Sequence, residues 1–146
     1  MKAPPQPSAP WPCVAIVGVG LIGGSVGLAL KARRLVDRVV GVGRNPASLA
    51  EARKRGIVDE TTTDLAKGVA SADLVVVAAA VSTIGPLLDA IDEAARPGTL
   101  LTDAGSTKGS IVARWERRRT RRRCRFVGAH PIAGSHRRGP VAADAG

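Results

Sequence analysis

Three stretches of this chain gather residue types that do chemistry. The first, V-A-I-V-G-V-G-L-I-G-G-S from Val14, places glycine at positions 18, 20 and 23 in the spacing G-x-G-x-x-G. The second, Thr102-Asp103-Ala104-Gly105-Ser106-Thr107-Lys108-Gly109, holds a carboxylate, hydroxyls and an ammonium. The third, Gly128-Ala129-His130-Pro131-Ile132-Ala133-Gly134-Ser135, centres on an imidazole, one of only two in the chain. The glycine spacing suits a phosphate cradle. Gly18 permits a tight turn, Gly20 lets backbone approach a pyrophosphate, and Gly23 lets the following helix pack on the strand before it. That helix, opening at Leu21 and Ile22, presents unpaired N–H groups and the positive end of its dipole. The alternative is a glycine-rich turn that binds nothing.

A site of this type built for NAD carries Asp or Glu about 20 residues after the third glycine, on the ribose 2′-hydroxyl. Here that position is Gly43, followed by Arg44 and Asn45. Arg44 suits a 2′-phosphate, with Gly43 leaving it room, so NADP is expected ahead of NAD. The alternative makes Arg44 a solvated loop charge and the site NAD-specific. Ala79 and Asp103, at the ends of two further apolar strands, join the expected cofactor-side residues. Ser106, Lys108 and His130 lie just past strand ends, where open α/β sheets bind ligands, and can converge near a nicotinamide ring.

The elements that must position these groups alternate along the chain. Strands are expected at 13–17, 37–42, 73–78, 99–102 and 125–128, with a possible short one within 57–63. Helices are expected at 21–34, 46–55, 84–95 and 108–119, with a short one at 64–70. Asn45 caps the second helix and Pro46 opens it. Near-continuous apolar strands alternating with helices indicate a parallel sheet with right-handed crossovers. The expected fold is an α/β, Rossmann-type doubly wound domain of three α/β/α layers, with sheet order 3-2-1-4-5 or an extension of it. Residues 1–12, rich in proline, read as an irregular leader, residues 13–146 as the dinucleotide-binding domain, and everything after Gly134 as loop.

Composition bounds the rest. The chain has 146 residues, 45% hydrophobic and 23% charged, which fits one globular domain. Aromatic residues are only 2%, so Val, Ile, Leu and Ala must build the core. Residues 3–30 carry no charge, but glycines 18, 20, 23, 24 and 27 interrupt the apolar run, so no membrane role is expected. Cys13 and Cys124 match no metal-ligand spacing; free thiols and a reducing, cytoplasmic setting are expected. The net charge of +10 comes largely from eight arginines between Arg114 and Arg125. Such a run can neutralise phosphates, yet a solvated connection between helix and strand is the ordinary explanation, and a nucleic-acid partner is not expected.

The glycine motif, the D-x-G-S-x-K-G segment and the H-P-I-A-G-S segment, in this order, resemble the prephenate/arogenate dehydrogenase family over residues 13–140. The resemblance implies oxidative decarboxylation on the route to tyrosine, with prephenate or arogenate as small-molecule substrate. It implies that His130 accepts the proton of the ring 4-hydroxyl as hydride leaves. Ser106 would bond that hydroxyl or orient His130, unless it only caps a helix, and Lys108 would support the loop or its electrostatics. It further implies a helical domain that contacts the substrate carboxylate and forms the dimer interface. The chain reaches Gly146 without such a domain and is expected to be the cofactor half of the enzyme. Ala78-Ala79-Ala80-Val81 departs from the family, which often places proline before the valine. A non-catalytic dinucleotide-binding module and a different NAD(P)-dependent reductase are the alternatives.

Overall fold

A computed structural model describes residues 9–132 and 137–146. Six parallel strands form one sheet: β1 (Trp11–Val17), β2 (Val36–Val42), β3 (Glu60–Thr62), β4 (Leu74–Val77), β5 (Leu100–Asp103) and β6 (Arg125–Val127). Their order is β3-β2-β1-β4-β5-β6. This is the extended form of the expected order: the short strand in the 57–63 connector is third, and the strand at 74–77 becomes fourth. Helices α1 (Leu21–Ala32), α2 (Pro46–Lys54), α3 (Leu65–Val69), α4 (Val81–Ala94) and α5 (Gly109–Glu116) connect them. Among the described residues no helix is long and apolar enough to cross a membrane.

The central strands β1 and β4 are buried on both faces, which is why they are apolar runs. One face packs Ala15, Val17, Val75, Val77 and Leu101 against Ile84, Leu88 and Ile91 of α4 and Ile111 and Trp115 of α5. The other packs Val14, Ile16, Val39 and Val76 against Leu49 and Ala52 of α2 and against Ile57 and Val58. The buried face of α1 is Gly23, Gly24 and Gly27 rather than large side chains. The helix therefore lies close on the sheet: a Cβ at Gly27 would stand 2.9 Å from the Ile57 carbonyl oxygen.

Four expectations need correction. First, β1 starts at Trp11, inside the stretch read as leader. Pro12 is tolerated because the pairing of β1 with β2 skips it, running from Trp11 to Cys13. Second, α4 begins at Val81, not Ile84. Pro86 lies inside it and Ala80 offers no side-chain cap, so the sequence hides its start. Third, the segment after Gly134 is not simply loop where it is described. Pro140–Ala142 form a 3-10 turn, and Ala143 is buried against Gly24 of α1. The Asp144 amide donates to Ser25 Oγ (3.0 Å), and Arg55 donates to the Pro140 carbonyl.

Fourth, the arginine run is only partly a solvated face. Arg117, Arg118, Arg121 and Arg125 are exposed. The Arg122 side chain is only 6% exposed; it pairs with Asp89 (2.7 Å) and lies 4.0 Å over the Trp115 ring. Arg114 of α5 also pairs with Asp89 (2.8 Å), so two arginines lock α5 and the connection after it onto α4. Asp92 accepts from the Arg123 and Cys124 amides at 3.1 and 2.8 Å. Burial, reinforced by the Asp92 carboxylate, pushes the Cys124 thiol up to about 11, which keeps it protonated and unreactive.

Candidate functional site

The first half of the site is built where β1 ends. Gly18 has φ +96° and donates its amide to the Val42 carbonyl at the tip of β2 (2.9 Å). A Cβ there would lie 2.3 Å from the Ala78 carbonyl oxygen, and one at Gly23 would lie 2.1 Å from the carbonyl oxygen of Gly18. Both are glycine because the protein leaves no space. Gly20 is different: a Cβ there would meet nothing within 4 Å. Its backbone (φ −101°) does not need glycine either. The void above Gly20 is what a closely approaching pyrophosphate requires. Gly20 is also the N-cap of α1 and provides no side-chain cap, so the first-turn amides at Leu21 and Ile22 remain available to an anion.

Two clefts open around this turn. One, of about 390 Å³, lies between Gly18, Gly43, Arg44 and Thr63 on one side and Ala79 and Thr83 on the other. The second, of about 740 Å³, is bounded by Gly18, Gly20, Arg44, Asn45, Gly139 and Pro140. Gly18, Gly43 and Arg44 line both, so the expected phosphate and ribose groups share one continuous edge. Arg44 is exposed at the lip, and no carboxylate among the described residues pairs with it. Asn45 is occupied: its side chain accepts from the Ala47 and Ser48 amides at 2.9 and 3.2 Å to cap α2. The fit to a dinucleotide therefore rests on open space, uncapped amides and an unpaired cation in one place.

The second half lies past β5 and β6. The register Thr102↔Val127 starts the two following loops side by side. Ser106 and His130 are both exposed on these loops. Ser106 does not cap α5, whose N-cap is Lys108. Asp103, expected among the cofactor contacts, instead turns into the protein at 1% exposure. Its carboxylate accepts from the Gly105 amide (2.9 Å), the Lys108 ammonium and the Ala129 amide (3.3 Å). Lys108 thus sits on Asp103 rather than standing free at the cleft. Of the H-P-I-A-G-S segment, residues 133–135 fall outside the described residues, as does His136. The contribution of Gly139 and Pro140 to the cleft wall was not foreseen; only folding of the tail across α1 brings them there.

Residues 26–146 match the family described as the prephenate dehydrogenase nucleotide-binding domain. The prephenate dehydrogenase of Lactococcus lactis subsp. cremoris is 38% identical over 90% of this chain and 37% of its own length. The prephenate dehydrogenase of A. aeolicus, solved with hydroxyphenyl propionate and NAD+, superposes with a TM-score of 0.82 at 32% identity, covering 92% of this chain and 46% of that one. Synechocystis arogenate dehydrogenase gives 0.79 at 29% identity, over 90% and 45%. This chain spans less than half the length of each of these relatives. With the family matched over residues 26–146 and the fold shared with solved relatives, the chain belongs to the family of prephenate dehydrogenase nucleotide-binding domains.

Proposed function

We propose that this chain forms the dinucleotide-binding side of a prephenate or arogenate dehydrogenase and takes NADP in preference to NAD. The observation that carries the reading is the contrast at the glycine turn. Protein contacts impose Gly18 and Gly23, whereas nothing in the protein imposes Gly20, which leaves a bound pyrophosphate as the reason for it. The α1 amides bind the phosphates, and Arg44 at the lip of both clefts pairs with a 2′-phosphate.

The bound dinucleotide supplies the hydride acceptor. His130 takes the proton of the substrate hydroxyl as general base. Ser106, on the neighbouring loop, bonds that hydroxyl or orients His130, while Lys108 holds its loop in place. The ring then loses carbon dioxide and becomes aromatic. Contacts to the substrate carboxylate, and the dimer surface, fall to a helical domain. The free thiols of Cys13 and Cys124 fit a reducing compartment such as the cytoplasm.

One observation favours NAD instead: the A. aeolicus relative was solved with NAD+. Fluorescence titration of the chain with NADPH and with NADH separates the two. The proposal expects saturable binding of both, tighter for NADPH, with the difference lost in Arg44→Ala. Tighter NADH overturns the NADP assignment, and binding of neither overturns the dinucleotide reading.

A further inference from the structure

Three hydrogen-bond donors from two separated motifs meet around one buried carboxylate. The Asp103 side chain is fully buried, while the Lys108 side chain that pairs with it is 27% exposed. Asp103 Oδ2 accepts from the Gly105 amide on its own loop, and Oδ1 accepts from the Ala129 amide on the loop after β6. Two glycines are shaped around it. A Cβ at Gly105 would stand 2.8 Å from Asp103 Oδ2 and 2.8 Å from Ile84 Cδ1. A Cβ at Gly128 would stand 3.2 Å from Lys108 Cδ and 3.7 Å from Asp103 Oδ1. The stem of Lys108 therefore passes beneath the backbone just before His130.

Burying a carboxylate is costly unless its oxygens are satisfied, and here both are. The arrangement does more than satisfy Asp103. Ser106 lies between Gly105 and Lys108 in sequence, and each flank is tied to this carboxylate. His130 follows Ala129, whose amide is tied to it as well. We infer that Asp103 is a positioning residue that clamps the Ser106 loop and the His130 loop into one unit. It does so through other residues and touches neither substrate nor cofactor. The inference rests on the proposed roles of Ser106 and His130, but the clamp has its own readout.

The test is nuclear magnetic resonance on the full chain, comparing wild type with Asp103→Ala, Asp103→Asn and Lys108→Met. In Asp103→Ala the Ala129 amide should exchange faster by on the order of tenfold, the loss of one hydrogen bond. The Ser106 amide and the His130 ring resonances should move together. Asp103→Asn retains acceptor oxygen and should give a smaller effect in the same direction. Lys108→Met should move the His130 ring signal although the two residues lie on different loops, and it guards against a poorly folded Asp103→Ala. A carboxylate serving stability alone lowers the melting temperature and leaves the His130 signal in place. That result, or unchanged Ala129 exchange, overturns the clamp. NADPH titration of the same samples should change by no more than about twofold, since Asp103 and Lys108 line neither cleft around the glycine turn. Wild type that fails to bind NADPH overturns the dinucleotide reading instead, and the amide and ring signals still decide the clamp.

Discussion

At the carboxyl end of β1 the chain offers a ligand only backbone and empty space, with Arg44 at the rim. At the carboxyl end of β5 it buries a carboxylate and wraps two loops around it. Both regions depend on glycine, for different reasons. Gly20 leaves room for something outside the protein, whereas Gly105 and Gly128 leave room for Asp103 and Lys108 inside it. The comparison teaches that a glycine in a motif is not by itself a sign of ligand approach; what its missing Cβ would touch decides. By that criterion Gly20 is open where Gly105 and Gly128 are packed.

Substitutions break this contrast most strongly at the turn itself. Gly23→Ala drives a methyl into the Gly18 carbonyl and should cost about 3 kcal/mol of stability by overpacking, read from urea unfolding. Gly20→Ala should leave stability within about 0.5 kcal/mol, as an unobstructed surface change does. It should still weaken dinucleotide binding by about tenfold, or about 1.4 kcal/mol. If Gly20→Ala unfolds the chain and binding per folded molecule is unchanged, the distinction between the glycines collapses.

Next in size, Asp103→Ala strands the buried Gly105 amide and should cost about 2 kcal/mol, measured by the same unfolding. A smaller effect is expected at Arg44→Ala: about a tenfold loss of NADPH affinity, about 1.4 kcal/mol, with NADH unaffected and stability unchanged. The smallest lies at Asp89 of α4, which pairs with Arg122 and Arg114. Burial opposes ionisation of Asp89, but hydrogen bonds from Arg122 and Arg114 outweigh it and hold the carboxyl below its usual range. A lowered folded value gives stability that is present above the unfolded carboxyl pKa and lost as pH falls through the folded one. Below about pH 4, the usual range for Asp, unfolding of Asp89→Asn should therefore vary less steeply with pH than that of wild type.

The sheet was legible in the sequence because a parallel strand covered on both faces is a short apolar run, as in residues 74–77, and the glycine spacing marked the tight turn from β1 into α1. The start of α4 was not, because Pro86 signals a break that tertiary packing of Ile84, Leu88 and Ile91 overrides. Arg122 read as one more solvated charge; Asp89 and Trp115, which bury it, are remote in sequence. Asp103 was placed with the right motif but facing the wrong way. Its position past β5 implied ligand contact, while Ala129, which claims one of its oxygens, arrives only when β6 pairs beside β5.

The most direct test of the account maps NADPH onto the labelled chain by amide chemical shifts. The prediction is a contiguous set of changes at Gly18, Gly20, Leu21, Ile22, Gly43 and Arg44, reaching Ala79 and fading toward Ser106, with Arg44 unmoved when NADH is used instead. Changes confined to the arginine face around Arg117–Arg125, or none at the glycine turn, would contradict it.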